Sequence, residues 1–253
     1  RLGAEIGHVT GKVLIVAVRP VAIVAHRIFG RPKGIGTFEI VVLIVHDPFA
    51  HPWVDASSRR LALGGFSIDS PAMQNTLLSF GHGYTAAALA RRLPPGWKVI
   101  GTTRRKEKAD RLRAGGIEAL LWPGDDIVPA LSRATHVLLS IAPDEAGDPV
   151  FAAHGGDFAS AAPHLRWLGY LSTTGVYGDH NGGWVDETTP LTPSTLRGRS
   201  RVLAEGQWQA LAARAGLPLH IFRLAGIYGP GRGPFEKVRN GTARRIVKES
   251  QYF

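Results

Sequence analysis

Apolar runs alternate with helix-like stretches along this chain, but only from residue 76 onward. The runs 75–80 (NTLLSF), 98–103 (KVIGTT), 117–122 (IEALLW), 135–142 (THVLLSIA), 165–173 (LRWLGYLST) and 217–226 (LPLHIFRLAG) read as strands. Between them, 84–93, 106–116, 126–134, a stretch around 150–162 and 194–216 read as helices, two of them stopped by glycines at 115–116 and at Gly216. The strands are near-continuous apolar runs rather than alternating ones, as expected when helices cover both faces of a sheet. Strands and helices in strict alternation predict an α/β fold, a doubly wound parallel sheet of the Rossmann type.

Residues 1–72 follow a different pattern. They hold apolar, β-branched bursts (KVLIVAV, VAIVA, EIVVLIVH) broken by Pro and Gly, with no periodic helix between them and no cap signals. The single methionine, Met73, stands directly before the first regular strand. The expected division is therefore an upstream extension over 1–72, outside the native fold, and a Rossmann-type domain over 73–253. The rival reading makes 1–72 a separate β-rich domain.

Composition changes this picture little. A hydrophobic fraction of 44% and a charged fraction of 20% are ordinary for a globular chain. The absence of cysteine excludes disulfides, thiol nucleophiles and cysteine-ligated metal sites, and fits a cytoplasmic location. Thirty Lys and Arg against 20 Asp and Glu give a net charge of +10. The cations are mostly Arg and are spread along the chain; the densest run, RRKEKADRLR at 104–113, is a solvated helix face of mixed sign. No basic stretch is interleaved with aromatics, so nucleic acid is not an expected partner. The best membrane candidate, 13–25, is too short and carries Arg19 and Pro20 at its centre. The histidines show no metal-ligand spacing, so no metal site is expected, and oligomeric state is left open.

The chemistry-bearing motif is GHGYTA at 81–86, a G-x-G-x-x-G/A pattern placed after a strand and opening a helix. The first glycine permits the tight turn, the second lets backbone approach a pyrophosphate, and a small third residue packs helix on strand. Candidate cofactor residues here are Gly81, His82, Gly83 and Tyr84. The tip of the next strand, Thr103-Arg104-Arg105, has no carboxylate to accept from a ribose 2′-hydroxyl. Its arginines offer charge-assisted bonds to a 2′-phosphate, so NADP is expected, with NAD as the alternative.

With STTGVYG (172–178), DETTPLTP (186–193) and RLAGIYGPGRGP (223–234) added in that order, the sequence resembles the extended short-chain dehydrogenase/reductases. Within them it is similar to the nucleoside-diphosphate-sugar epimerase/dehydratase branch, over about residues 74–253. The resemblance implies a hydroxyl beside the reacting carbonyl at Thr173, with Ser172 and Thr174 as neighbours. It also implies Asp125 near the adenine, Ile141 and Ala142 lining the inner cofactor cleft, and GIYGPGR passing over the nicotinamide end. Members of the family begin shortly before the glycine turn and continue into a small substrate lobe, so the chain is expected to be a fragment truncated in that lobe.

One departure stands against these matches. The family's catalytic Tyr and Lys, four residues apart, fall on Arg197 and Arg201. A tyrosine beside a cation passes protons, whereas an arginine does not usefully deprotonate. Arg201 can still hold ribose hydroxyls and Arg197 can steady an oxyanion. Of possible substitutes, His180 is titratable near neutrality, while Tyr177 and Tyr228 belong to turns where packing is the expected role. Two functions are therefore expected. One is an NAD(P)-dependent oxidoreductase or epimerase/dehydratase-like enzyme acting on a small carbonyl or nucleotide-sugar substrate. The other is a non-catalytic NADP-binding sensor or regulatory protein.

Overall fold

A computed structural model describes residues 73–244 together with the strand Val13–Ile15. Its sheet contains, in chain order, β1 (Val13–Ile15), β2 (Thr76–Phe80), β3 (Lys98–Thr103), β4 (Glu118–Leu121), β5 (His136–Leu139), β6 (Trp167–Thr173) and β7 (Leu219–Leu224). The spatial order is β1-β7-β6-β5-β2-β3-β4 and every pairing is parallel. Between 73 and 244 the chain thus winds outward from β2 through β3 to β4, then reverses at β5 and continues to β7. That reversal, between β2 and β5, is the switch point where open α/β sheets bind ligands.

The helices are α1 (Tyr84–Ala90), α2 (Lys106–Ala114), α3 (Val128–Arg133), α4 (Pro149–Ala161), α5 (Leu196–Ala215) and α6 (Pro234–Arg239). All five residues of β2 are buried, as a strand covered on both faces requires. Helix α4 starts at Asp148, whose carboxylate accepts from the Val150 and Phe151 amides at 2.8 and 3.0 Å, with Pro149 at the first helical position. Helix α5 starts at Thr195, which accepts from the Gly198 amide, and ends at Gly216 in the left-handed conformation. Helix α1 stops three residues short of the expected 93. Leu93 precedes Pro94-Pro95, and a residue before proline is pushed out of the helical region. Helix α6 was not anticipated.

The main core lies between the sheet and helices α3–α5. Trp208 is fully buried there, edge-on to Phe158 and Phe151 with centroids 4.9 and 5.5 Å apart. A smaller cluster around Leu77, Ala86 and Leu138 packs α1 on β2 and β5, which fixes the glycine turn relative to the switch point.

Strand β1 lies within the segment expected to stand outside the fold. Its three residues pair with Ile221, Phe222 and Arg223 of β7, at the outer edge of the sheet. The other upstream apolar bursts lie outside the described residues. No helix among the described residues is long and apolar enough to cross a membrane, and none of their acidic and histidine side chains cluster in a metal-binding arrangement.

Candidate dinucleotide cleft

The glycine turn is held from both sides. Gly81 takes φ +77, its amide donates to Thr102 Oγ1 at 2.9 Å, and the Ser140 hydroxyl donates to the Phe80 and Gly81 carbonyls. A Cβ at Gly81 would come within 2.9 Å of Ile141 Cγ1 and 3.2 Å of Ser140 Oγ, so only glycine fits. Gly83 is different. A Cβ there would meet nothing nearer than the Gly81 carbonyl at 3.6 Å, so its bare backbone faces open space. The turn therefore leaves room at the position where backbone must approach a phosphate, which fits the expected dinucleotide.

That space belongs to a cleft of about 220 Å³. Gly81, Gly83, Tyr84 and Thr85 form one wall and Ser140 sits at the switch point. Leu171, Ser172 and Arg201 close the β6 end, and Leu224, Ile227 and Arg232 come from β7 and the loop after it. Four of the residues expected from sequence, Gly81, Gly83, Tyr84 and Arg201, thus line one cleft.

The remaining expected residues are not part of its lining. The His82 backbone amide donates to the Thr102 carbonyl, while its ring is buried beneath the turn with Nδ1 2.7 Å from Ser79 Oγ. The ring packs on Gly101, where a Cβ would come 2.9 Å from His82 Cβ. Burial, then the charge of Lys108, lowers the His82 pKa to about 4, so it is neutral near pH 7. Thr103 is buried and accepts from the Arg105 amide; Arg104 and Arg105 are exposed where β3 passes into α2. Asp125 is exposed and its carboxylate accepts from the Leu121 amide at 2.7 Å, closing the turn after β4. Ile141 packs on the core below Gly81, and Ala142 is exposed.

At the β6 end, Thr173 Oγ1 accepts from the Gly175 amide at 3.2 Å, which leaves its own proton available to an oxygen acceptor. Arg201 is anchored. Its Nη1 donates to the Leu171 carbonyl at 2.6 Å and to the Tyr170 hydroxyl at 3.1 Å. Tyr170 is fully buried, and burial pushes its phenol up to about 12 despite the neighbouring guanidinium, so it stays protonated. Arg197 is exposed on the first turn of α5 and does not line the cleft. His180 is tied to the Tyr177 carbonyl at 3.0 Å; Tyr177 is buried, whereas Tyr228 is exposed.

Sequence reasoning missed the group behind this end. Glu205, 1% exposed, forms an ion pair of 2.7 Å with Arg223, 3% exposed. The same carboxylate accepts from the Ser172 hydroxyl, and Arg223 Nη1 donates to the Tyr177 hydroxyl at 2.7 Å. Four side chains from β6, the turn after it, α5 and β7 are thereby locked together beneath the cleft. The signal available was a polar residue inside each of two largely apolar runs, Ser172 and Arg223, and a glutamate at the buried stripe of α5.

A seven-stranded parallel sheet in which β2 to β7 take this order, with a glycine turn at the switch point, is a Rossmann fold. The chain belongs to the NAD dependent epimerase/dehydratase family, whose model matches residues 81–249. It is similar to Protein YeeZ of Escherichia coli (strain K12), 33% identical over 168 residues, covering 61% of this chain and 59% of that protein. A solved structure of a functionally unknown conserved protein from Silicibacter pomeroyi DSS is 60% identical with a TM-score of 0.65, over 70% of this chain and 62% of that one. UDP-glucuronic acid 4-epimerase from Bacillus cereus, solved in complex with NAD, shares the fold at 18% identity and a TM-score of 0.51, over 63% of this chain and 60% of that one. The chain thus spans about three fifths of the length of these relatives.

Proposed function

We propose that this chain binds NADP, with NAD as the weaker ligand, and belongs to an oxidoreductase or epimerase/dehydratase-like enzyme acting on a small carbonyl or nucleotide-sugar substrate. The observation that carries this reading is the single cleft joining the open backbone at Gly83 to the polar end of β6 at Ser172 and Arg201. The glycine turn would hold the pyrophosphate of a dinucleotide, and Ser172, Thr173 and Arg201 would hold its nicotinamide end. When bound it would supply the redox chemistry. The chain's own residues hold and orient: Thr173 donates a hydrogen bond to a substrate oxygen, and Arg201 adds positive field and N–H donors near the ribose. The exposed Arg104 and Arg105, next after β3, support the reading of a 2′-phosphate.

The non-catalytic reading has its own support. Arg197 and Arg201 stand in place of the Tyr and Lys of the resembling family's catalytic pair, and Arg201 is fixed to Tyr170 and Leu171. Losing a positioned general acid typically slows a reaction by about 10²–10⁴-fold. Titration with NADPH and NADH, followed by incubation with carbonyl and nucleotide-sugar substrates, separates the two. Binding with turnover supports the enzyme, binding without turnover supports the sensor, and absence of dinucleotide binding removes both. Arg104→Ala is expected to narrow a preference for NADPH over NADH; equal affinities before and after it would sink the NADP assignment.

A further inference from the structure

The loop between β7 and α6 is drawn across the cleft onto the glycine turn. Gly229 and Arg232 bridge each other through two backbone hydrogen bonds of 2.7 and 2.9 Å, with Pro230 and Gly231 between them and Gly231 at φ +69. Pro followed by a glycine of positive φ is what a type II turn requires. The turn presents two groups to Tyr84. Its Pro230 carbonyl accepts from the Tyr84 hydroxyl at 3.1 Å, and the Arg232 guanidinium carbon lies 5.3 Å from the Tyr84 ring centroid.

How Arg232 is held decides what it can bind. Arg113, Arg133, Arg223 and Arg239 each meet a carboxylate. Arg232 forms no ion pair with any described residue and rests on an aromatic ring instead. A ring face orients a guanidinium while leaving its charge and its planar fork of N–H donors uncommitted. It also borders the same cleft as Gly81 and Gly83. The turn GHGYTA contributes no lysine or arginine of its own, and the other cationic lining residue, Arg201, is fixed over β6. A pyrophosphate at the glycine turn therefore needs its charge met from the loop side.

We infer that Arg232 is the residue that binds the dinucleotide pyrophosphate, with Tyr84 as its seat and the Pro230–Gly231 turn as its arm. This rests on the dinucleotide reading above. The open backbone at Gly83 gives the pyrophosphate room against one wall, and the guanidinium meets it from the other. Tyr84 is then a positioning residue, acting through Arg232.

Calorimetric titration of the full chain with NADPH, ADP-ribose and adenosine tests this. Arg232→Ala should weaken NADPH and ADP-ribose by about ten-fold or more, the worth of a charge-assisted contact, and leave adenosine, which lacks the pyrophosphate, unchanged. Tyr84→Phe keeps the ring and should cost little, while Tyr84→Ala should lose most of what Arg232→Ala loses. Combining Tyr84→Ala with Arg232→Ala should add little further. If the wild-type chain binds NADPH and Arg232→Ala binds it equally well, the inference falls while the dinucleotide reading stands. Equal weakening of adenosine and ADP-ribose would also overturn it, since the loss would then be structural. If the wild-type chain binds no dinucleotide, both fall together.

Discussion

Glu205→Ala is expected to cost about 3–5 kcal/mol of folding stability, the range for removing one partner of a buried ion pair. The number follows from what is left behind. Arg223 would keep only the Tyr177 hydroxyl at 2.7 Å and lose contacts to both carboxylate oxygens, while staying 3% exposed and charged. Ser172 would lose the acceptor of its hydroxyl proton. Against a typical domain stability of about 5–15 kcal/mol, that is a large share. The pair itself is a weaker asset than its parts suggest, because each charge is costly to desolvate. The double variant Glu205→Met with Arg223→Met should therefore be less destabilised than Glu205→Ala alone. Equilibrium unfolding in urea, with both variants compared with wild type at unchanged slope, measures all of this. A loss below about 1 kcal/mol for Glu205→Ala, or a double variant that loses more than Glu205→Ala, would overturn this account.

The two cleft glycines should separate stability from binding. Gly81→Ala should destabilise by about 1–3 kcal/mol, since its Cβ strikes Ile141 at 2.9 Å on a backbone of φ +77. Gly83→Val should leave thermal unfolding close to wild type, yet weaken NADPH and NADH alike by blocking backbone approach; unfolding scans and titrations read the two effects. Acid should destabilise the fold through His82 and His136, both lowered to about 4 mainly by burial, from an ordinary 6.5. Their folded-state pKa values lie below the unfolded ones. The stability they contribute is thus full above pH 6.5, falls as pH drops from 6.5 and is lost by about 4, with a slope approaching about 1.4 kcal/mol per pH unit for each. Asp148, raised by burial, acts in the opposite sense at lower pH. Urea midpoints between pH 7 and 4 check this, and His136→Asn should flatten the decline.

The fold was legible because its strands are buried on both faces. Thr76–Phe80 and His136–Leu139 are mostly apolar; the first begins one residue after the expected 75, while the second stops three residues short of the expected 142. Helix α1 ended early for a local reason, the Pro94-Pro95 pair, and that too was written in the sequence. The glycine turn was equally local: Gly81 and Gly83 sit where a strand passes into a helix. What sequence could not show is contact across the fold. Ser172 and Glu205 are 33 residues apart, and Tyr84 and Pro230 are 146 apart. Each of these residues has an unremarkable local setting, and only the parallel stacking of β6 on β7 and the return of the loop over α1 bring the partners together. The family resemblance placed Arg201 by position, but the anchoring of its guanidinium on Leu171 and buried Tyr170 needed the packed structure.

The cleft running from Gly83 to Arg201 is proposed to take a dinucleotide. Calorimetric titration of the chain with NADPH, alongside the Gly83→Val variant, tests it most directly. Saturable one-to-one binding that exceeds NADH in affinity, and that Gly83→Val weakens without unfolding the chain, is expected. NADPH binding that survives Gly83→Val undiminished, or no binding of either dinucleotide to a folded wild-type chain, would contradict it.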